Sequence, residues 1–463
     1  MSEPAVMDRR PMRQQQRAWY WYDWANSAFV TTTMAVLIGP YLTVLAKRAA
    51  CPDQPTSQVC RRDLMVLGVP IDPGALSSYT ITFTTLVSAV LLILVGAVAD
   101  RSPRPQWLVG AFAWCGAAAA TAMFFLQGTS WQLGVLLLVV SNLCLGCSLV
   151  IYDGILVRIA TPDERDRVSS RGWALGYLGG GLLLALNFVL LTVGEAHGLD
   201  AELAVRISLA SAGLWWGIFT LIPVLGLRNL PPRALAEDLP PDAAPSRGPI
   251  RGAFAQLRDT FMDLRGYPQT LLFLIAYLFY NDGIQTVIAS SSVYGAEELG
   301  MAQSQILTTF LVVQFVAFGG ALLFGRAAAR YGASQVVLAG IVLWALVVTA
   351  AFFLPGHSML AFLGLGVGIG VVMGGTQALS RSLFSQLVPR GRESEYFSLY
   401  QAMERGTSWL GTLTFGLVHQ WTHSYRWSIV AIMIFFVVGG VLLARVRFRE
   451  GILAAGNELP QVV

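Results

Sequence analysis

Apolar residues along this chain fall into twelve blocks parted by short polar, arginine-bearing segments, at about 19–46, 76–99, 107–127, 131–158, 170–193, 204–227, 269–294, 303–326, 333–354, 358–386, 395–418 and 426–444. A helix rising 1.5 Å per residue needs roughly 20 residues to cross a ~30 Å hydrocarbon core. The pattern therefore predicts an all-α membrane protein with twelve transmembrane helices. Between blocks six and seven runs PPRALAEDLPPDAAPSRGP (231–249), whose proline, alanine and charge cannot bury enough apolar surface to fold alone. The stretch 229–267 reads as a linker between two six-helix bundles, 19–228 and 268–447, with tails at 1–18 and 448–463. Residues 251–266 carry the spacing of a short amphipathic helix on the membrane surface.

Composition sharpens this reading. The chain is 55% hydrophobic and 13% charged, about half the charge fraction of a soluble domain. No cleavable signal peptide is expected, because the first 17 residues are polar, with Arg9, Arg10, Arg13 and Arg17, and the first apolar block is too long for one. An even number of spans puts both ends on one side. That side carries 24 basic residues against six opposite, which marks it as cytoplasmic and suits a bacterial inner membrane. The net charge of +4 calls for no nucleic-acid partner, since the arginines sit between the blocks.

Cys51 and Cys60 fall on the opposite side, where a disulfide would persist; paired and free thiols both remain open. Cys115, Cys144 and Cys147 lie within apolar blocks with no ligand set for a metal, and His197, His357, His419 and His423 have no paired ligand spacing. The glycines of GLGVGIGVVMGG (364–375) follow no strand and lie inside a span, so they are not a dinucleotide loop. No GxxxxGK[ST] motif is present, which argues against ATP drive, and no cofactor is expected.

The two halves echo each other. GAVADRSPR (96–104) after span two matches GRAAARYG (325–332) after span eight, YDWAN (22–26) matches YNDGIQ (280–285), and TPDERDR (161–167) matches VPRGRES (388–394). Parallel six-span repeats are the architecture of major facilitator transporters, whose substrate site lies between the repeats near mid-membrane. GAVADRSPR resembles that superfamily's loop signature, with Gly96, Asp100, Arg101 and Arg104 in place and Pro103 for the second glycine. The second copy keeps Gly325, Arg330 and Gly332 but has Ala329 where the acid would stand. YDWANSAF, RVSSRGWALGYLGGG, YNDGIQTV and GGTQALSRSLFSQLVPRGRESEYF resemble the hallmarks of the group first catalogued as unknown major facilitator family 1, related to fungal vacuolar amino-acid effluxers. The resemblance covers essentially the whole chain. It implies two pseudo-symmetric six-helix bundles, small-molecule transport and, through distant relatives, amino-acid export.

Charge deep in a span points to function, because an ionised residue at the bilayer centre costs about 2.5–3.5 kcal/mol on insertion scales and normally faces a cavity or a partner. Asp282, Glu404, Arg405 and Gln314 are deep by position, and Asp282, Gln285 and Thr286 share a helix face that continues to Ser290. Arg405 or a substrate carboxylate is expected to engage Asp282, with Glu404 as proton carrier; a static buried ion pair is the competing reading. Asp153, Arg158, Gln377 and Arg381 lie near the cytoplasmic ends. With Asp100, Arg101, Arg104 and Arg330 they are candidates for a latch, and Arg381 also for attracting an anionic substrate. Asp23 sits at the inner interface, where a hydrated cap or gate competes with a proton site, with Asn26 on its face and Trp19, Tyr20, Trp21, Tyr22 and Trp24 as a headgroup-level belt.

The sequence thus predicts a monomeric, proton-coupled secondary transporter for amino acids or similar small metabolites, working outward by alternating access. Sugar or drug transport is an alternative within the class, and a non-transporting membrane sensor or scaffold one outside it. No clustered catalytic pair supports an enzyme.

Overall fold

The computed structural model describes residues 9–55, 60, 62–66, 68–230, 262–406 and 408–462. Most of the linker, including the start of the expected amphipathic helix, lies outside them. Among the described residues the helices follow the twelve apolar blocks in order. Span 1 runs through Arg9–Ala28, a π-helical Phe29–Leu37 and Ile38–Ala50. Spans 2 to 6 are Leu76–Arg101, Pro105–Ala122, Trp131–Ile159, Arg165–Ala196 and Ala201–Gly226. Spans 7 to 10 are Pro268–Val293, Gln303–Tyr331, Ala333–Phe352 and Met359–Leu387. Span 11 is described in two pieces, Glu393–Gly406 and Ser408–Thr422, and span 12 comprises Tyr425–Ala431 and Met433–Arg445.

Among the described residues, 10 helices are long and apolar enough to cross a bilayer. Span 2 adds an eleventh as a pair, Pro73–Ser88 and Val90–Arg101, bent by 41°. Span 11, which carries Glu404 and Arg405, is not among these, since its two described pieces are 14 and 15 residues long. Spans 1–6 and 7–12 form the two bundles.

Span 1 begins well before residue 19 because its polar start finds partners instead of water. Gln16 Nε2 donates to the Ile159 carbonyl at 2.9 Å and to Glu164 at 3.1 Å, and Gln15 Nε2 to the Asn229 carbonyl at 3.0 Å. Residues 9–18 are therefore helix, not tail. The other end of the chain is likewise docked. After a short helix, Phe448–Ala454, Asn457 Nδ2 donates to the Gln386 and Val388 carbonyls, both at 2.8 Å, and the Gln461 amide to Asp163 at 2.6 Å. Both ends of the described chain thus lie on one face, called the terminal face below. On the far face Cys51 and Cys60 are joined as a disulfide, followed by a small antiparallel hairpin, Leu64–Val66 with Val69–Ile71.

Glycines set how closely helices approach within each bundle. Without a large hydrophobic drive between helices in lipid, small residues that let backbones meet take over. Gly366 and Gly370 of span 10 lie against span 8, and a Cβ on them would stand 2.6 Å from Thr309 Cγ2 and 2.9 Å from the Val313 carbonyl. Gly176, Gly179 and Gly180 of span 5 take Ser27, Trp24 and Thr31 of span 1 in the same way. The run GLGVGIG is thus a packing surface.

Gly370→Leu is expected to lower the thermal unfolding midpoint of the purified protein, since overpacking a closed seam costs about 1–3 kcal/mol. Gly364→Leu, at a position where a Cβ meets nothing within 4 Å, should leave it unchanged. Equal midpoints for the two variants would refute the seam.

Candidate functional site

Two seams close the terminal face between the bundles. Asp100 at the end of span 2 accepts hydrogen bonds from the Ser394 and Glu395 amides, both at 2.9 Å. It thereby satisfies the open N–H groups at the start of span 11, where the helix dipole favours a carboxylate. Gly96 lets this contact form, because a Cβ there would sit 2.6 Å from the Ser394 carbonyl. On the pseudo-symmetric side, Arg165 Nη1 donates to the Ser385 carbonyl at 2.9 Å, Ser382 Oγ to Asp166 at 2.5 Å, and Ser169 Oγ to the Ala378 carbonyl at 2.7 Å. Here span 5 grips span 10, and Ala329 has no part in the closure.

Deeper in lies the charged centre of the seam. Arg381 of span 10 reaches across to Asp23 of span 1 and Asp153 of span 4. Its Nη2 stands 3.0 Å from Asp23 Oδ2, and its Nη1 lies 3.4 Å from Asp23 Oδ1 and 3.3 Å from Asp153 Oδ1. Its Nε donates to Ser169 Oγ at 2.9 Å and Nη2 also to the Ser169 carbonyl at 3.1 Å. All five guanidinium N–H groups are thus engaged. The cation also packs against Trp19, with Cζ 4.8 Å from the ring centre, and near Tyr152 and Trp173. Tyr152 Oη donates to Asp23 Oδ2 at 2.8 Å and Gln401 Nε2 to Asp153 Oδ2 at 2.9 Å. Gly172 keeps the space for the Asp23 carboxylate, which a Cβ would enter.

Above this centre a cavity of about 350 Å³ opens between the bundles, with walls from both. Asp23, Asn26, Asp153, Gln377 and Arg381 form its closed end and are buried; toward the far face its walls include exposed residues such as Val30, Ala35 and Ser292. Gln285, Gln314, Tyr400, Gln401, Glu404 and Arg405 line it between. Tyr177 Oη donates to Gln377 Oε1 at 2.5 Å, and Asn26 Nδ2 turns back to the Tyr22 carbonyl at 2.7 Å. Part of the π-helical stretch of span 1, Val30 to Ala35, borders the same space; such stretches are frequent at functional sites.

Several expectations change. Asp23 is not a hydrated interfacial carboxylate: it is 6% exposed and held by Arg381 and Tyr152. Trp19 and Tyr22 are not a lipid-facing belt either, since both are fully buried, Trp19 stacked on Tyr152 at 4.2 Å. The side chains of this segment turn inward.

Asp282 does not meet Arg405 or the cavity. It is wholly buried and accepts from the Gly411 amide at 2.7 Å, tying span 7 to the outer piece of span 11. Asp282 and Gln285 stand about 60° apart on the helix, enough for Gln285 to look into the cavity while Asp282 and Thr286 look at Gly411. Arg101, Arg104 and Arg330 do not join the latch. All three are exposed without an ion pair among the described residues, Arg330 lying over the Tyr331 ring, because backbone amides serve Asp100 in their place. Asp153 belongs to the Arg381 centre, and Arg158 stays half-buried near the end of span 4. Sequence reasoning passed over Tyr152, Ser169, Gln401 and Asn142. Asn142, an amide well inside span 4, carried a readable signal, as did Gln401, one turn before Arg405.

Arg381→Gln is expected to destabilise the protein strongly, since removing one partner of a buried ion pair costs about 3–5 kcal/mol by leaving charge uncompensated. Asp23→Asn added to it should restore part of the loss in thermal unfolding of the purified variants. A double variant no more stable than the single one would exclude direct pairing.

A family model described as vacuole effluxer Atg22 like matches residues 12–456. The uncharacterised MFS-type transporter YxiO of Bacillus subtilis is 30% identical, with 96% of this chain and 98% of that one aligned. Autophagy-related protein 22-1 of Penicillium rubens is 24% identical over 98% and 93% of the two chains. Among solved structures, a bacterial homologue of the iron transporter ferroportin in an outward-facing state superposes with a TM-score of 0.63 at 16% identity, covering 95% of this chain and 100% of that one. The proton:xylose symporter XylE gives 0.64 at 12%, covering 94% and 95%. At those identities the likeness speaks for the fold alone. With its two bundles, its inter-bundle cavity and these relatives, the chain is a multi-pass membrane protein that belongs to the Atg22-like group of major facilitator transporters, and it is not an enzyme.

Proposed function

We propose that the protein is a secondary active transporter that moves a small solute, with amino acids or similarly small zwitterions preferred, by alternating access. The observation that carries this is the cavity between the bundles, sealed at one end by Arg381 with Asp23 and Asp153 and lined with buried polar groups. A bilayer protein keeps such groups at depth when cargo or water must reach them. Opening the terminal face requires Arg381, on the second bundle, to part from both carboxylates, on the first. The arginine bias supports a cytoplasmic terminal face, which makes this the outward-open state of a monomer in a bacterial plasma membrane.

The proton gradient is the proposed energy source, with Glu404 as the carrier, because its carboxylate borders the cavity. Outward transport of amino acids rests on the effluxer name of the family model. Counterflow of amino acids in proteoliposomes tests the proposal. Exchange of sugars or hydrophobic drugs in their place would replace the cargo, and absence of any exchange would favour a non-transporting role.

Glu404→Gln is expected to abolish uptake driven by an imposed pH gradient. Asp282→Asn, away from the cavity, should keep it. Retained coupling in Glu404→Gln would remove Glu404 as the carrier.

A further inference from the structure

The cavity holds two guanidinium groups with opposite circumstances. Arg381 has every donor occupied, two carboxylates among its acceptors. Arg405 borders the same cavity, yet its two protein acceptors are neutral amides: Asn142 Oδ1, 2.8 Å from Nη1, and Gln401 Oε1, 3.4 Å from Nε. Among the described residues no carboxylate oxygen lies within 4.0 Å of its nitrogens. Glu404, its neighbour in sequence, points about 100° away around the helix. An arginine cannot shed its proton. Arg405 is half-buried at the cavity wall, no carboxylate among the described residues hydrogen-bonds it directly, and it has donors to spare toward the cavity.

The Gln401 amide is not free to turn. Gln401 donates its Nε2 to Asp153, which fixes its Oε1 toward Arg405; the reverse orientation would set two acceptors against each other. Asp153 thus positions Gln401, and Gln401 with Asn142 positions the guanidinium. This is a preorganised anion receptor, and its planar fork matches a carboxylate.

The charge balance then limits the ligand. Counted with every group ionised, Asp23, Asp153 and Glu404 set three negative charges around the cavity against the two of Arg381 and Arg405. A net anion would meet repulsion, whereas a molecule with both a carboxylate and a cationic group would not. We infer that Arg405 is the anchor for the carboxylate of a zwitterionic cargo, with Glu404 facing its positive group. The inference rests on the transporter reading above for the word cargo, but its binding chemistry stands separately.

The test uses the purified full chain and the twenty standard amino acids, each at millimolar concentration, with thermal unfolding as the readout; a ligand that binds the folded state raises the midpoint. At least one amino acid is expected to stabilise the wild-type protein saturably, and its methyl ester, which lacks the carboxylate, to need at least tenfold more. Arg405→Gln should weaken binding at least tenfold and Arg405→Lys less, with both variants monodisperse. An ester that binds as well as its acid overturns the anchor without recourse to any variant. So does a folded Arg405→Gln that binds unchanged, and so does a wild-type protein that no amino acid stabilises. Counterflow separates the two readings. Carboxylate-dependent binding without exchange would sink transport and leave the anchor standing; exchange of an uncharged solute with no amino-acid binding would do the reverse.

Discussion

One guanidinium decides how the two bundles meet. Arg381 gives all its donors to the opposite bundle, and its two carboxylate partners come from different helices, so spans 1, 4 and 5 are registered against span 10 at a single point. Such a buried cluster adds little net stability over an apolar equivalent, because desolvation offsets most of the Coulomb gain. What it adds is selectivity: only one relative placement of the bundles satisfies every donor. Around that point the glycines of span 5 and the hydroxyls of Ser169 and Tyr152 exist to make room or to complete the bonding.

The closure is pseudo-symmetric in position and asymmetric in chemistry. At one seam a carboxylate, Asp100, receives the amides that open span 11. At the other, Arg165 and the serines of span 10 bond directly across. The sequence echo between the two loop motifs follows the position of these seams, and the departure at Ala329 follows their chemistry. Where the second repeat has Ala329, the bonding to span 5 comes from span 10.

Helices in lipid are readable because the solvent imposes their length, and the twelve spans lie where apolar blocks lie. Position along a span is readable for the same reason, which is how Gln314, Glu404 and Arg405 stand out in the chain, whereas Asp23, Gln377 and Arg381, read at the inner ends, turn out to form the closed end of the same cavity. Direction around a helix is harder. Asp282 has the depth of a cavity residue but turns to Gly411, and Trp19 has the depth of a belt residue but stacks inside. Partner choice is hardest, since Arg381 and Asp23 are separated by 358 positions, and no local pattern joins them. Tyr152 and Ser169 become meaningful only once the bundles are together.

Span 11 has divided loyalties. Its inner piece is held by the first bundle, through Asp100 at its start, Asp153 at Gln401 and Asn142 at Arg405. Its outer piece is held by the second, through Asp282 at Gly411. A rod clamped at its two ends by separate bodies carries the twist whenever those bodies shift. Arg405 is itself the last of the inner clamps and Glu404 lies beside it, so any rearrangement of the bundles would bear on these two residues first.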